Sequence, residues 1–185
     1  VDGAGLLILP GPNVDAQGYQ SRLLDRLAEA GDGSYRLRIS PPVGDPQQET
    51  GFVAVSDPDV SHPVMQVFQT SQDAMSSPFA ATRLYRYFPL SIEARATGAL
   101  SVDSTASGRR PTALMRLDGN EVALAEIAVG RGKVMVAAFA PTARWSNLPL
   151  QPAFVPLMLR AVTYLRPPAE VEVPASIEPG EPATV

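Results

Sequence analysis

The side chains best suited to chemistry fall in one short segment, Asp57-Pro58-Asp59-Val60-Ser61-His62. Two carboxylates, a hydroxyl and an imidazole offer oxygen and nitrogen donors for a divalent metal, or the parts of a proton relay. The same composition suits a proline-rich loop in which Asp and Ser cap turns by accepting from nearby backbone N–H groups. That second reading is preferred. Asp57, Asp59 and His62 therefore stand as secondary candidates for a metal or catalytic role, and no cofactor is expected.

Other chemistries find little support. The chain has no cysteine, which removes thiolate nucleophiles, disulfides and sulfur-bound metals, and His62 is its one histidine. A serine hydrolase of the elbow type needs a G-x-S-x-G turn between strand and helix, and none is present. Gly3-Ala4-Gly5 and Gly130-Arg131-Gly132 superficially resemble phosphate loops. Both precede strand-like runs instead of opening helices, so tight turns are expected. Asp103, Asp118, Glu121 and Glu126 could form a carboxylate pair, but their spacing does not gather them, and solvation of strand surfaces is the simpler role. Trp145, the sole tryptophan, either anchors a partner or plugs the edge of the domain, and the plug is favoured. With Leu148, Tyr85 and Tyr87 it completes the set of candidate interaction residues.

The elements that would position these residues follow from periodicity. GLLILPG reads as a strand covered on both faces. Asn13 or Asp15 can cap a helix carrying Leu23, Leu24, Leu27 and Ala28, with Gly31 as its stop. Short strands are expected at Tyr35 to Ile39 and Phe52 to Val55. A helical turn from Pro63 would send Val64, Val67 and Phe68 inward. RLYRYFPL alternates like a strand, and residues 95 to 102 suggest another. Asp118-Gly119-Asn120 is a hairpin turn between ALMRL and VALAEIAV. Gly130-Arg131-Gly132 then leads into KVMVAAF, completing a three-stranded meander. A final helix would carry Phe154, Leu157, Met158, Ala161, Val162 and Leu165 on its apolar face, with Pro156 in its first turn and Pro167-Pro168 ending it.

The 185 residues suffice for one substantial core, and the composition is globular: 45% hydrophobic and 18% charged, with a net charge of −4. Scattered Lys and Arg give no footprint for nucleic acid. No apolar run approaches the roughly 20 residues that span a bilayer. Both ends read as cut from a longer polypeptide, so residues 1–167 are expected to form a partial domain, and 168–185 a linker into a following β-rich domain.

The stretch GRGKVMVAAFAPTARWSNLPLQPAFVPLMLRAVTYL resembles the end of the glutamine-amidotransferase-like domain of BatA-type bacterial membrane proteins, the aerotolerance-regulator family. GAGLLILPG, SDPDVSHPV and RLYRYFPL are similar, in the same order, to that family's Gly-rich strand, Asp-x-x-His-Pro loop and aromatic strand. The resemblance implies an α/β fold of class I glutamine-amidotransferase (flavodoxin-like) type, incomplete at its N-terminus. Its sheet would be mainly parallel, with an antiparallel extension between residues 84 and 139 and a closing C-terminal helix. It also implies an extracytoplasmic (periplasmic) location, with membrane attachment through segments outside this chain. The partners implied are other domains of the same polypeptide, other membrane proteins and von Willebrand factor A domain proteins, with a link to MoxR-type ATPases. The catalytic cysteine of true class I amidotransferases is missing, and Ala140-Pro141 stand where trehalose-utilisation-like domains often carry Gly-His. The function so implied is a non-catalytic interaction or scaffold domain. The alternatives are a hydrolase or sugar-modifying enzyme, or a glycan or small-molecule binding module.

Overall fold

The computed structural model describes residues 3–30, 35–48, 50–56, 58–69, 77–94 and 110–167. The expected linker at 168–185, the strand at 95–102 and the helix stop at Gly31 lie outside these residues. The strands are β1 (Gly5–Ile8), β2 (Tyr35–Ile39), β3 (Val53–Ser56), β4 (Arg83–Leu84), β5 (Leu90–Ala94), β6 (Thr112–Leu117), β7 (Val122–Val129) and β8 (Gly132–Ala137). They join in one sheet whose main path runs β1-β8-β7-β6-β3-β4, with β5 bridging β7 to β2.

The expectation of a mainly parallel sheet is corrected here. Among the described residues only β1 and β8 pair in parallel, and every other pairing is antiparallel. The cause is local. Gly119 and Asn120 both take positive φ, 93° and 74°, as a primed hairpin turn requires, and Gly130 follows at 58°. Turns this tight leave no length for a crossover helix, so β6, β7 and β8 must run up and down. The architecture is mixed α/β.

Helices cover both faces of the sheet. Asp15 caps the first helix by accepting from the N–H groups of Gln17 and Gly18. Helix α1 (Ala16–Tyr19) continues through a π-helical stretch, Gln20–Leu24, into α2 (Asp25–Ala30). The Gln20 side chain donates to Asp25 and to the Leu37 carbonyl, and accepts from the Ile39 N–H at 2.9 Å. It thereby pairs with the backbone of β2. Helix α3 (Phe154–Leu165) packs on the opposite face. Alternation along β8 sends Val134 and Val136 toward α1 and α2, and Met135 and Ala137 toward α3.

Leu6 of β1 is 45% exposed, although Leu7 packs toward α3 and Ile8 toward α1 and α2, so the strand is covered on both faces as expected. Two inward assignments change: Val67 and Val162 point outward, while Met65, Leu157, Ala161 and Leu165 hold the core positions. In RLYRYFPL, regular pairing stops after Arg83–Leu84. The segment is fastened instead to the loop after β8, whose Trp145 carbonyl accepts from the N–H groups of Tyr85 and Arg86. Asn147 completes the join, its Oδ1 accepting from the Arg83 N–H (2.7 Å) and its Nδ2 donating to the Ala81 carbonyl (2.8 Å).

Candidate functional site

His62 and its surroundings come first, since the sequence placed its candidate chemistry there. Asp59 caps the local turn: one carboxylate oxygen accepts from the Ser61 N–H and hydroxyl. Asp57 lies outside the described residues. His62 itself turns away from Asp59 and meets Glu126 of β7, with Nε2 2.7 Å from Oε2. Its Nδ1 accepts from the Val64 N–H at 3.3 Å. This pattern assigns the neutral tautomer with the proton on Nε2. Neither ring nitrogen retains a free lone pair with which to act as a base.

Glu126 is equally occupied. Its second oxygen accepts from the Tyr164 hydroxyl of α3 at 3.2 Å, and the Tyr164 ring stands edge-on to the His62 ring. Lys133 at the start of β8 places its ammonium 3.7 Å from the centre of the Tyr164 ring. The cluster clasps a loop, the central strand and the closing helix together at a nearly dry site. Its carboxylate was legible in one respect. VALAEIAV is apolar except for Glu126, which shares the α3 face with Leu124, and an inward-facing charge demands a partner. Glu126→Ala is expected to lower the unfolding free energy by about 1–3 kcal/mol, because two buried donors lose their acceptor. Glu126→Gln, which keeps one carbonyl, should cost less. Urea denaturation of both variants checks the ranking.

The aromatic candidates are inside. Tyr87, Trp145 and Leu148 are buried, at 8%, 5% and 0% exposure, and Tyr85 is half-buried. Trp145 packs against Phe88, with ring centres 5.5 Å apart, and fills the edge of the core. Tyr87 donates its hydroxyl to Glu121 at 2.6 Å. Burial first, and then the Glu121 carboxylate, push the Tyr87 phenol up to about 12. A phenol raised in the folded state stabilises fully below its unfolded value of 10.0, and that contribution fades as pH rises to about 12. Melting temperature should therefore fall more steeply across this window in the native protein than in Tyr87→Phe.

A cleft of about 320 Å³ opens beyond the C-terminal ends of β1 and β8. Pro12 follows β1, Thr142, Arg144 and Trp145 follow β8, and Asp45, Gln47 and Arg86 complete its walls. Apart from Trp145, the sequence reading passed over these residues because they come from four separated segments. On α3, Val155, Leu159 and Val162 form an exposed apolar stripe, 61%, 64% and 55% accessible. A groove joins this stripe to the open edge of β1 through Ala4, Gly5, Leu7 and Val162. Among the described residues no cluster of three or more His, Asp or Glu is arranged to hold a metal, and no helix is long and apolar enough to cross a membrane.

No family model and no curated protein matches the chain. Two solved structures share its fold. The cytoplasmic protein STM1381 from Salmonella typhimurium LT2 aligns with a TM-score of 0.57 and 16% identity, over 89% of this chain and 56% of its own. The cytoplasmic protein STM3548 from Salmonella typhimurium aligns with a TM-score of 0.54 and 13% identity, over 88% of this chain and 55% of its own. The chain thus spans little more than half the length of either. Identities this low carry the fold, and no activity, ligand or partner. The extracytoplasmic location expected from the BatA resemblance is overturned by these two neighbours, both described as cytoplasmic proteins.

Proposed function

We propose that this chain is a non-catalytic interaction domain, a reduced class I glutamine-amidotransferase-like scaffold belonging to a BatA-type bacterial protein. The observation that carries this reading is the α3 stripe. Val155, Leu159 and Val162 recur at i, i+4 and i+7, so they form one continuous face, and Leu6 of the open β1 edge is also exposed. An apolar helix face beside a strand edge left unpaired among the described residues offers both hydrophobic contact and backbone hydrogen bonds to a partner. The partner favoured is another domain of the same polypeptide, since both solved neighbours extend well beyond the part they share with this chain. Two features support the absence of chemistry from this reading: the chain has no thiol, and both nitrogens of His62 are engaged.

The test places a photo-crosslinking side chain at position 159 in the polypeptide as the cell makes it. Cross-links to a defined segment of that polypeptide are expected. They should vanish when the crosslinker stays at position 159 and the stripe around it carries Val155→Glu and Val162→Glu, a double variant whose melting temperature stays unchanged because exposed substitutions rarely shift stability by more than about 0.5 kcal/mol. Substrate turnover lost on His62→Ala, with no cross-link formed at position 159, would overturn the proposal.

A further inference from the structure

The cleft beyond β1 and β8 is independent of the α3 stripe, and its residues point to a ligand. Open α/β sheets bind small molecules outside the C-terminal ends of parallel strands, and β1–β8 is the parallel pair among the described residues. Two guanidinium groups, Arg86 and Arg144, line the space against one carboxylate, Asp45. Among the described residues neither arginine forms an ion pair. Arg86 lies over the Trp145 ring, 5.1 Å from its centre, which fixes its plane. Its Nε–H is buried and has no acceptor among the described residues. A buried donor on a cation costs stability unless something accepts from it.

We infer that the cleft binds a small hydroxylated phosphate ester, a sugar or polyol phosphate by class. A tetrahedral anion offers separate edges to two planar forks arriving on different loops, where a carboxylate offers one. The phosphate would accept from the terminal N–H groups of the Arg86 and Arg144 guanidiniums, both of which line the cleft. Gln47, Thr142 and Asp45 supply donors and acceptors for hydroxyl groups. Asp45 is already positioned, because its Oδ1 accepts from the Gln47 N–H at 2.9 Å and shapes the wall. The volume lies at the small end of the range for ligand pockets, which suits a single ring or a short chain.

Calorimetric titration of the whole chain with glucose 6-phosphate, glucose and inorganic phosphate tests the inference. Glucose 6-phosphate should bind, inorganic phosphate more weakly, and glucose not at all at millimolar concentration. Arg144→Gln, on an exposed loop, should weaken binding by roughly tenfold or more, the loss expected for one charge-assisted contact. Arg86→Gln should do the same, with circular dichroism confirming its fold. Absence of binding by every phosphate, or affinity unchanged in Arg144→Gln, would overturn the inference. So would inorganic phosphate binding as tightly as the ester. The α3 variants used to test the interaction face should leave this titration unaltered, so the two readings fail separately.

Discussion

Phe139→Ala is expected to lower the unfolding free energy by about 3–5 kcal/mol, the range for deleting a fully buried aromatic ring. Phe139 is wholly inaccessible and follows the end of β8 on the α3 face. Its cluster includes Leu148 of the loop after β8 and Leu157 and Ala161 of α3, so the ring sits where strand, loop and helix converge. Collapse into the vacated space is hindered, since Asn147 and the Trp145 carbonyl pin the loop to residues 81–86. The urea midpoint should drop with the slope of the transition unchanged, as expected for lost stability within an otherwise similar unfolded state. Phe139→Leu, which leaves less empty volume, should cost markedly less.

Gly5→Ala should be nearly as damaging, by a different route. A Cβ built on Gly5 would lie 2.1 Å from the carbonyl oxygen of Leu165 and 2.6 Å from its Cβ. No side-chain rotation relieves a collision with backbone, so either β1 or the end of α3 must move. Overpacking of this kind costs about 1–3 kcal/mol and sometimes more, and here the displaced element is the closing helix. Hydrogen exchange should show lost protection over the last turn of α3 first. Gly11→Ala is the control: nothing lies within 4 Å of its Cβ, and its φ is not in the left-handed range. It should be neutral or slightly stabilising, because alanine restricts the unfolded chain.

Much of the local structure was written locally. Asp15 caps its helix, Tyr35–Ile39 is a strand, and Asp118-Gly119-Asn120 turns a hairpin, because each depends on neighbours a few residues away. Alternation misled where pairing is long-range. RLYRYFPL has the rhythm of a strand, yet its backbone partners are divided among β3, Val43 and a loop some sixty residues later. Val162 fits the apolar face of α3 by spacing, but that face is wider than the sheet beneath it can cover. The His62–Glu126–Tyr164 clasp was hidden for the same reason: its members are 64 and 38 residues apart, and only the meander brings them together. The phosphate cleft was less legible still, for no periodicity links Asp45, Arg86 and Arg144.

Gln20 gives the π-helical stretch a wider meaning. Its amide stands beside β2 as a further strand would, taking the Leu37 carbonyl and the Ile39 N–H for itself. A sheet can lengthen only where its backbone is unclaimed. The β2 edge, on the branch of the sheet, is therefore capped by a single side chain, while the β1 edge is unpaired among the described residues. Strand addition is offered at β1 and withheld at β2, so a molecule added through β1 presents no further edge through β2. The colloidal behaviour of the protein thus depends in part on one amide in an otherwise unremarked turn of helix.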